Sequence, residues 1–205
     1  MTSVPRFVLA SASPARLQTL RAAGVQAEVS VSGVDESDVT GPPADVALTL
    51  AVRKAMAVAR SSPDALVLGC DSVLELDGEA HGKPADAAEA TARWQRMSGH
   101  DGVLHTGHCL VDTRSGRQTA AVASTVVRFG DLDDEEITAY VETGEPLRVA
   151  GAFTVDGLGG AFVEHIEGDY HNVVGLSLPL LRRLMDEVGH RFTDLWLPSM
   201  PDRGR

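Results

Sequence analysis

The sequence predicts an α/β fold, a mixed twisted sheet flanked by helices with antiparallel additions. Three observations predict it. Apolar runs and helical segments alternate from the N-terminus in the order strand, helix, strand, helix, strand. One run, Ala65 to Cys70, is continuously apolar, the pattern of a strand buried on both faces. Two longer runs, Val103 to Val111 and Thr119 to Phe129, flank a turn at Thr113 to Gly116 and read as a hairpin.

Each element has a local reason. Arg6 to Ala10 is a short buried strand. Ser13-Pro14 opens a helix, with serine as N-cap and proline at the first helical position; Leu17 and Leu20 point inward and Gly24 ends it. Ala27 to Val31 is the second strand. Ala44 to Arg60 is an alanine-rich helix between Pro42-Pro43 and Pro63. Val73 to Leu76 is extended, and Asp77-Gly78 is a hairpin turn. Ala85 to Met97 is a helix closed by Gly99. Asp133 to Thr143 is a helix with acids at its positive end. Ala161 to Ile166 reads as a strand, and Ser177 to Val188 as the last helix, closed by Gly189. Residues 1–189 form one domain with a candidate lobe boundary between residues 100 and 130, and 190–205 a frayed C-terminal tail.

With 205 residues, 43% hydrophobic and 23% charged, the chain is long enough for a substantial core. Its net charge of −11 argues against non-specific binding to nucleic acid or an anionic membrane. An anionic small molecule remains compatible, because a basic pocket or a divalent cation can bridge carboxylates to phosphates. No apolar run reaches the length of a membrane span, and Met1 to Ala10 turns polar too soon for a secretory signal, so a cytoplasmic location is expected. Cys70 and Cys109 belong to apolar stretches without metal-ligand spacing and read as buried reduced thiols.

Four stretches carry chemistry. Ser11-Ala12-Ser13-Pro14-Ala15-Arg16 joins a strand to a helix N-terminus, where free N–H groups and the helix dipole suit a phosphate; Ser11 and Ser13 add hydroxyls and Arg16 a guanidinium fork. Alone, it reads first as a capped helix with a surface arginine. Asp71 follows a buried strand, the position of site residues in α/β sheets, though an Asp also forms turns there. If the strands before Ser11 and Asp71 are parallel neighbours, both motifs open on one sheet edge. Asp35, Glu36 and Asp38 offer hard oxygen ligands or simply a solvated acidic loop. Lys54 and Lys83 are cations that, taken singly, read as surface charges. The chain lacks a P-loop, a dinucleotide fingerprint, a GxSxG elbow and an HExxH helix.

In this order the motifs resemble the Maf family. Ser11 to Arg16 matches its S-x-S-P-R-R with one departure. Val34-Asp35-Glu36, Lys54-Ala55, Cys70-Asp71-Ser72-Val73 and Gly82-Lys83-Pro84 follow, then Met97-Ser98-Gly99, Thr106-Gly107, Gly144-Glu145-Pro146, Ala150 to Phe153, Ile166 to Tyr170 and Asn172 to Leu176. The match runs from Val8 to about Gly189. The resemblance implies a two-lobed fold like that of inosine triphosphatases with the site in a cleft, often a homodimer. It implies hydrolysis of nucleoside triphosphates between the α- and β-phosphates with Mg²⁺ or Mn²⁺, a house-cleaning role and a link to septum formation. Asp71 would then be the general base or metal ligand, and Glu36 would assist at the metal. Ser11, Ser13, Arg16, Lys54 and Lys83 would bind the triphosphate. Three positions depart: Ala15 replaces the first arginine, Ser177 a proline, and Asp156 the glutamine of the branch acting on dTTP and UTP. Asp156 would contact the base. The branch acting on 7-methyl-GTP also has an acidic residue there. A carboxylate only accepts hydrogen bonds, so Asp156 shifts the expected substrate toward guanine or methylated bases. Two other readings stand beside this one: an inosine-triphosphate-type pyrophosphatase, and a non-catalytic nucleotide-binding regulator of septum formation.

Overall fold

The computed structural model describes residues 5–196. Their strands form one 7-stranded mixed sheet. β1 (Arg6–Leu9) runs parallel to both β2 (Ala27–Val29) and β3 (Ala65–Leu76), with Val8 opposite Glu28 on one side and Val67 on the other. β4 (Glu79–His81) folds back on β3 through the predicted Asp77-Gly78 turn, whose φ values of 51° and 80° suit a tight hairpin. β5 (Asp101–Asp112), β6 (Gln118–Phe129) and β7 (Val163–Glu167) extend the sheet beyond β3 as antiparallel ladders. α1 (Pro14–Ala22), α2 (Pro43–Ala59), α3 (Ala87–Met97), α4 (Asp134–Glu142), α5 (Tyr170–Val174) and α6 (Leu178–Val188) cover its faces.

Side chains of a strand alternate between faces, and the sheet buries both. On one face Leu20 of α1 and Leu181, Leu184 and Met185 of α6 pack on Phe7, Leu9, Leu66 and Leu68. Farther along β3 a second core surrounds Trp94 of α3, with Leu74, Leu104, Val127, Phe129, Ile137 and Tyr140. The Trp94 ring meets Phe129, Tyr140 and Phe162 edge-on at 5.6, 5.3 and 5.9 Å, and its Nε1 donates to the Ala152 carbonyl at 2.8 Å. On the opposite face α2 lays Ala51, Ala55 and Val58 on Val8, Val67 and Cys109. It lies so close that a Cβ at Gly69 would sit 2.3 Å from the Ala51 carbonyl oxygen, and one at Gly107 2.2 Å from that of Ala47.

The structure differs from the sequence expectations in several places. β2 stops at Val29. β3 continues unbroken from Ala65 to Leu76, because β5 pairs with it from Leu66 to Glu75. The segment 161–166 opens as a 3₁₀ turn (Leu158–Phe162) before β7 begins. Residues 101–129 form the expected hairpin, and it contributes to all three cores: Leu110 to the first, Leu104 and Phe129 to the second and Cys109 to the one under α2. The expected tail begins ordered. Phe192–Leu195 form a 3₁₀ turn with Leu195 buried, and Trp196 bridges to Val25. The rest of that tail lies outside the described residues. No helix among those described is long and apolar enough to cross a membrane.

Candidate active site

The site is built around a gap in strand pairing. β5 occupies one edge of β3 continuously. β1 and β4 share the other edge, β1 pairing with residues 65–68 and β4 with 74–76. Ala10 extends the β1 side by one bond, its N–H donating to the Leu68 carbonyl at 2.8 Å. Between them β3 has no strand partner, and Asp71 stands at the centre of that stretch. It lies within the strand rather than just past it, as the sequence had suggested.

Asp71 shares a face of the sheet with α2, which delivers Lys54. The Lys54 ammonium lies 2.6 Å from Asp71 Oδ1 and 2.7 Å from Glu36 Oε1. Lys54 and Asp71 are largely buried, whereas Glu36 is half exposed in the loop after β2. Burial pushes the Asp71 carboxyl above its usual range, against the pull of Lys54 and Arg16. Two carboxylates thus converge on one cation. Mg²⁺-type ions bind through one or two carboxylates plus substrate phosphates and water, and Asp71 with Glu36 could supply such carboxylates. Among the described residues no group of three or more His, Cys, Asp and Glu gathers into an all-protein metal cage.

Arg16 is placed differently from the phosphate fork expected of it. It is buried, with Nε donating to the Gly175 carbonyl at 2.7 Å, Nη1 to Ser11 Oγ and the Cys70 carbonyl, both at 2.9 Å, and Nη2 to Ser72 Oγ at 2.9 Å. Four of the five N–H donors of a guanidinium are therefore engaged. Its bond to Cys70 satisfies a carbonyl of the β3 gap that no strand reaches. Ser72 passes the connection on, its hydroxyl 2.9 Å from that of Thr106, which donates to the Asn172 carbonyl at 3.3 Å. Ser11 Oγ also accepts from the Ser13 N–H at 3.2 Å, and Ser13 Oγ caps α1 at the Arg16 N–H, 3.4 Å away.

Lys83 is exposed on the turn after β4 and forms no ion pair among the described residues. Asp156 is exposed as well, and it does not join the Asp71 cluster. It lines a groove of about 290 Å³ together with Ala15, Gln18 and Thr19 of α1 and Tyr170, His171 and Val174 of α5. Ala15 and Asp156, two departures from the family signature, therefore border the same space. The sequence reading passed over Ser72 as an arginine acceptor and Glu145 as more than a motif letter. The partners of Ser72, Arg16 and Thr106, are distant in the chain and leave no local signal, whereas those of Glu145 lie within fourteen residues of it, at Tyr140, Thr154, Leu158 and Gly159.

The family described as Maf-like protein matches residues 6–188. A relative from Streptomyces coelicolor, named nucleoside triphosphate pyrophosphatase, is 61% identical over 97% of this chain and 99% of its own. Relatives of the same name come from Salinispora tropica, 61% identical over 93% of this chain and 87% of theirs, and from Nostoc punctiforme, 51% identical over 94% and 98%.

Proposed function

Because the chain belongs to the Maf-like protein family, we propose that it is a nucleoside triphosphate pyrophosphatase, cleaving the α–β phosphoanhydride to release monophosphate and pyrophosphate. One observation carries the reading: a buried carboxylate, Asp71, and a cation, Lys54, meet in an open gap of the sheet edge, with Glu36 at its rim. Asp71, once ionised, takes the proton of the attacking water. Lys54 pairs with Asp71 and Glu36 before substrate arrives and shares the charge of the triphosphate afterwards. Lys83 reaches the same anion from the turn after β4, and Ser11 and Ser13 meet it at the loop entering α1. Arg16 holds that loop against β3 and α5. A divalent cation, Mg²⁺ or Mn²⁺, would be held by Asp71 and Glu36 and would supply further neutralisation of the leaving pyrophosphate.

Asp156 reads the base from the groove beside Ala15. As an acceptor it favours guanine or a cationic methylated base over thymine and uracil. In the cell the reaction removes nucleotides that should not enter nucleic acids, in the cytoplasm, with a homodimer as the working form and a link to division arrest. The deciding experiment is pyrophosphate release from a panel of common and methylated nucleoside triphosphates, with and without Mg²⁺ or Mn²⁺. Metal-dependent release with monophosphate as co-product, fastest for guanine-type bases, is expected. Equal or faster turnover of dTTP and UTP removes the base assignment. Nucleotide binding without any release replaces the enzyme by a binding regulator.

A further inference from the structure

The loop that carries Asp156 is held by one carboxylate. Glu145, three residues beyond α4, stands inside the curve of residues 154–159. Its Oε1 accepts from Thr154 Oγ1 at 2.6 Å, from the Tyr140 hydroxyl at 2.8 Å and from the Gly159 N–H at 3.0 Å. Its Oε2 accepts from the Leu158 N–H at 3.1 Å. The Tyr140 hydroxyl in turn accepts from the Thr154 N–H at 3.3 Å. The wrapping is tight: a Cβ on Gly157 would meet Glu145 Oε2 at 2.5 Å, and one on Gly159 the Tyr140 hydroxyl oxygen at 2.3 Å. Burial raises the Glu145 carboxyl, but the donors outweigh it and hold the group below its ordinary range.

Asp156 lies between these anchors, two residues after Thr154 and two before Leu158. Its own side chain is exposed and borders the groove with Ala15, Thr19 and Tyr170. Glu145 thus holds both ends of the short loop whose middle residue, Asp156, borders the groove. We propose that Glu145 is the positioning residue for base recognition: without touching substrate, it fixes where Asp156 presents its oxygens and thereby sets the discrimination between bases. The inference rests on the reading of Asp156 as the base contact. A site that reads a base by hydrogen bonds depends on placing its acceptor to within a fraction of an ångström, whereas a mobile acceptor serves several bases about equally.

The test compares Glu145→Gln and Thr154→Val with the unmodified protein, measuring kcat and KM for guanosine, 7-methylguanosine and uridine triphosphates. Thermal melting serves as the check on folding. Glutamine keeps the shape of Glu145 but replaces one acceptor oxygen by an amide that cannot accept from the loop N–H groups. The ratio of kcat/KM between the best and poorest base is expected to fall about tenfold in Glu145→Gln and less in Thr154→Val, through KM, with kcat on the best base nearly kept. A folded variant that keeps the ratio while Asp156→Asn changes it overturns the positioning role; if Glu145→Gln does not fold, Thr154→Val decides by the same criterion. Unchanged discrimination in Asp156→Asn instead removes Asp156 as the reader. Absence of pyrophosphate release from the unmodified protein removes the activity itself.

Discussion

Burial moves Asp71 and His108 in opposite senses, and each has a measurable consequence. For Asp71 burial favours the neutral form, and Lys54 and Arg16 pull toward the ionised one. Asp71→Asn preserves an acceptor for Lys54 but cannot take a proton. Turnover is expected to fall about 10³-fold or more with the melting temperature little changed; near-normal turnover would show that the base lies elsewhere. His108 is sealed between β5 and α6, its Nε2 accepting from the Ser177 N–H at 2.8 Å and its Nδ1 donating to the Thr106 carbonyl at 3.0 Å. Burial pushes it down to about 4, against about 6.5 in the unfolded chain. Between those values the unfolded chain binds a proton that the folded one refuses. The stability is therefore complete above about pH 6.5 and declines as the pH falls toward 4. The loss at pH 5 is roughly 2 kcal/mol. Urea midpoints at pH 7 and pH 5 should separate by less in His108→Gln than in the unmodified protein; equal separations would refute the assignment. Cys70 and Cys109 are buried and free, as their apolar surroundings predicted, with thiols pushed up to about 12 and about 11.

At the scale of the element, α2 brings Lys54 to the site, and its seating depends on missing side chains beneath it. Gly69 and Gly107 let its backbone approach the sheet directly. Gly107→Ala must push against the Ala47 carbonyl, a contact with backbone that cannot swing aside. Overpacking of this kind costs on the order of 3 kcal/mol, and displacement of α2 also withdraws Lys54 from Asp71. A lowered urea midpoint together with lost turnover is expected; a variant as stable and active as the parent would mean that α2 is free to shift. The helices and turns with local signals were readable from sequence. Ser13 caps α1, Asp133 closes a capping box with Glu136, and Gly189 ends α6 in the left-handed conformation. The short α5 was missed, since five residues show no helical period. The division of β3 at Asp71 was misread because a polar residue inside a strand looks, locally, like its end.

For the molecule as a whole, residues 190–196 after α6 belong to the fold. Leu195 is 2% exposed in the core beneath α6, and Trp196 Nε1 donates to the Ala23 carbonyl at 2.9 Å. Burying one leucine contributes about 2 kcal/mol, so ending the chain at Gly189 should lower the melting temperature by about 5 °C. An unchanged melting curve would show the segment to be dispensable. The site was legible in part for the same reason that this segment was not. Asp71, Lys54 and Glu36 stand in recognisable short motifs. The seat of Arg16, by contrast, is assembled from Ser11, Cys70, Ser72 and Gly175, a set that no local pattern announces. An unpaired strand edge is ordinarily a template on which a second chain can add itself and start an aggregate. The open stretch of β3 escapes that fate by its shortness, walled in by β1 and β4, and by the guanidinium that already holds its Cys70 carbonyl. The opening proposed to admit a small anion is therefore closed to an invading strand.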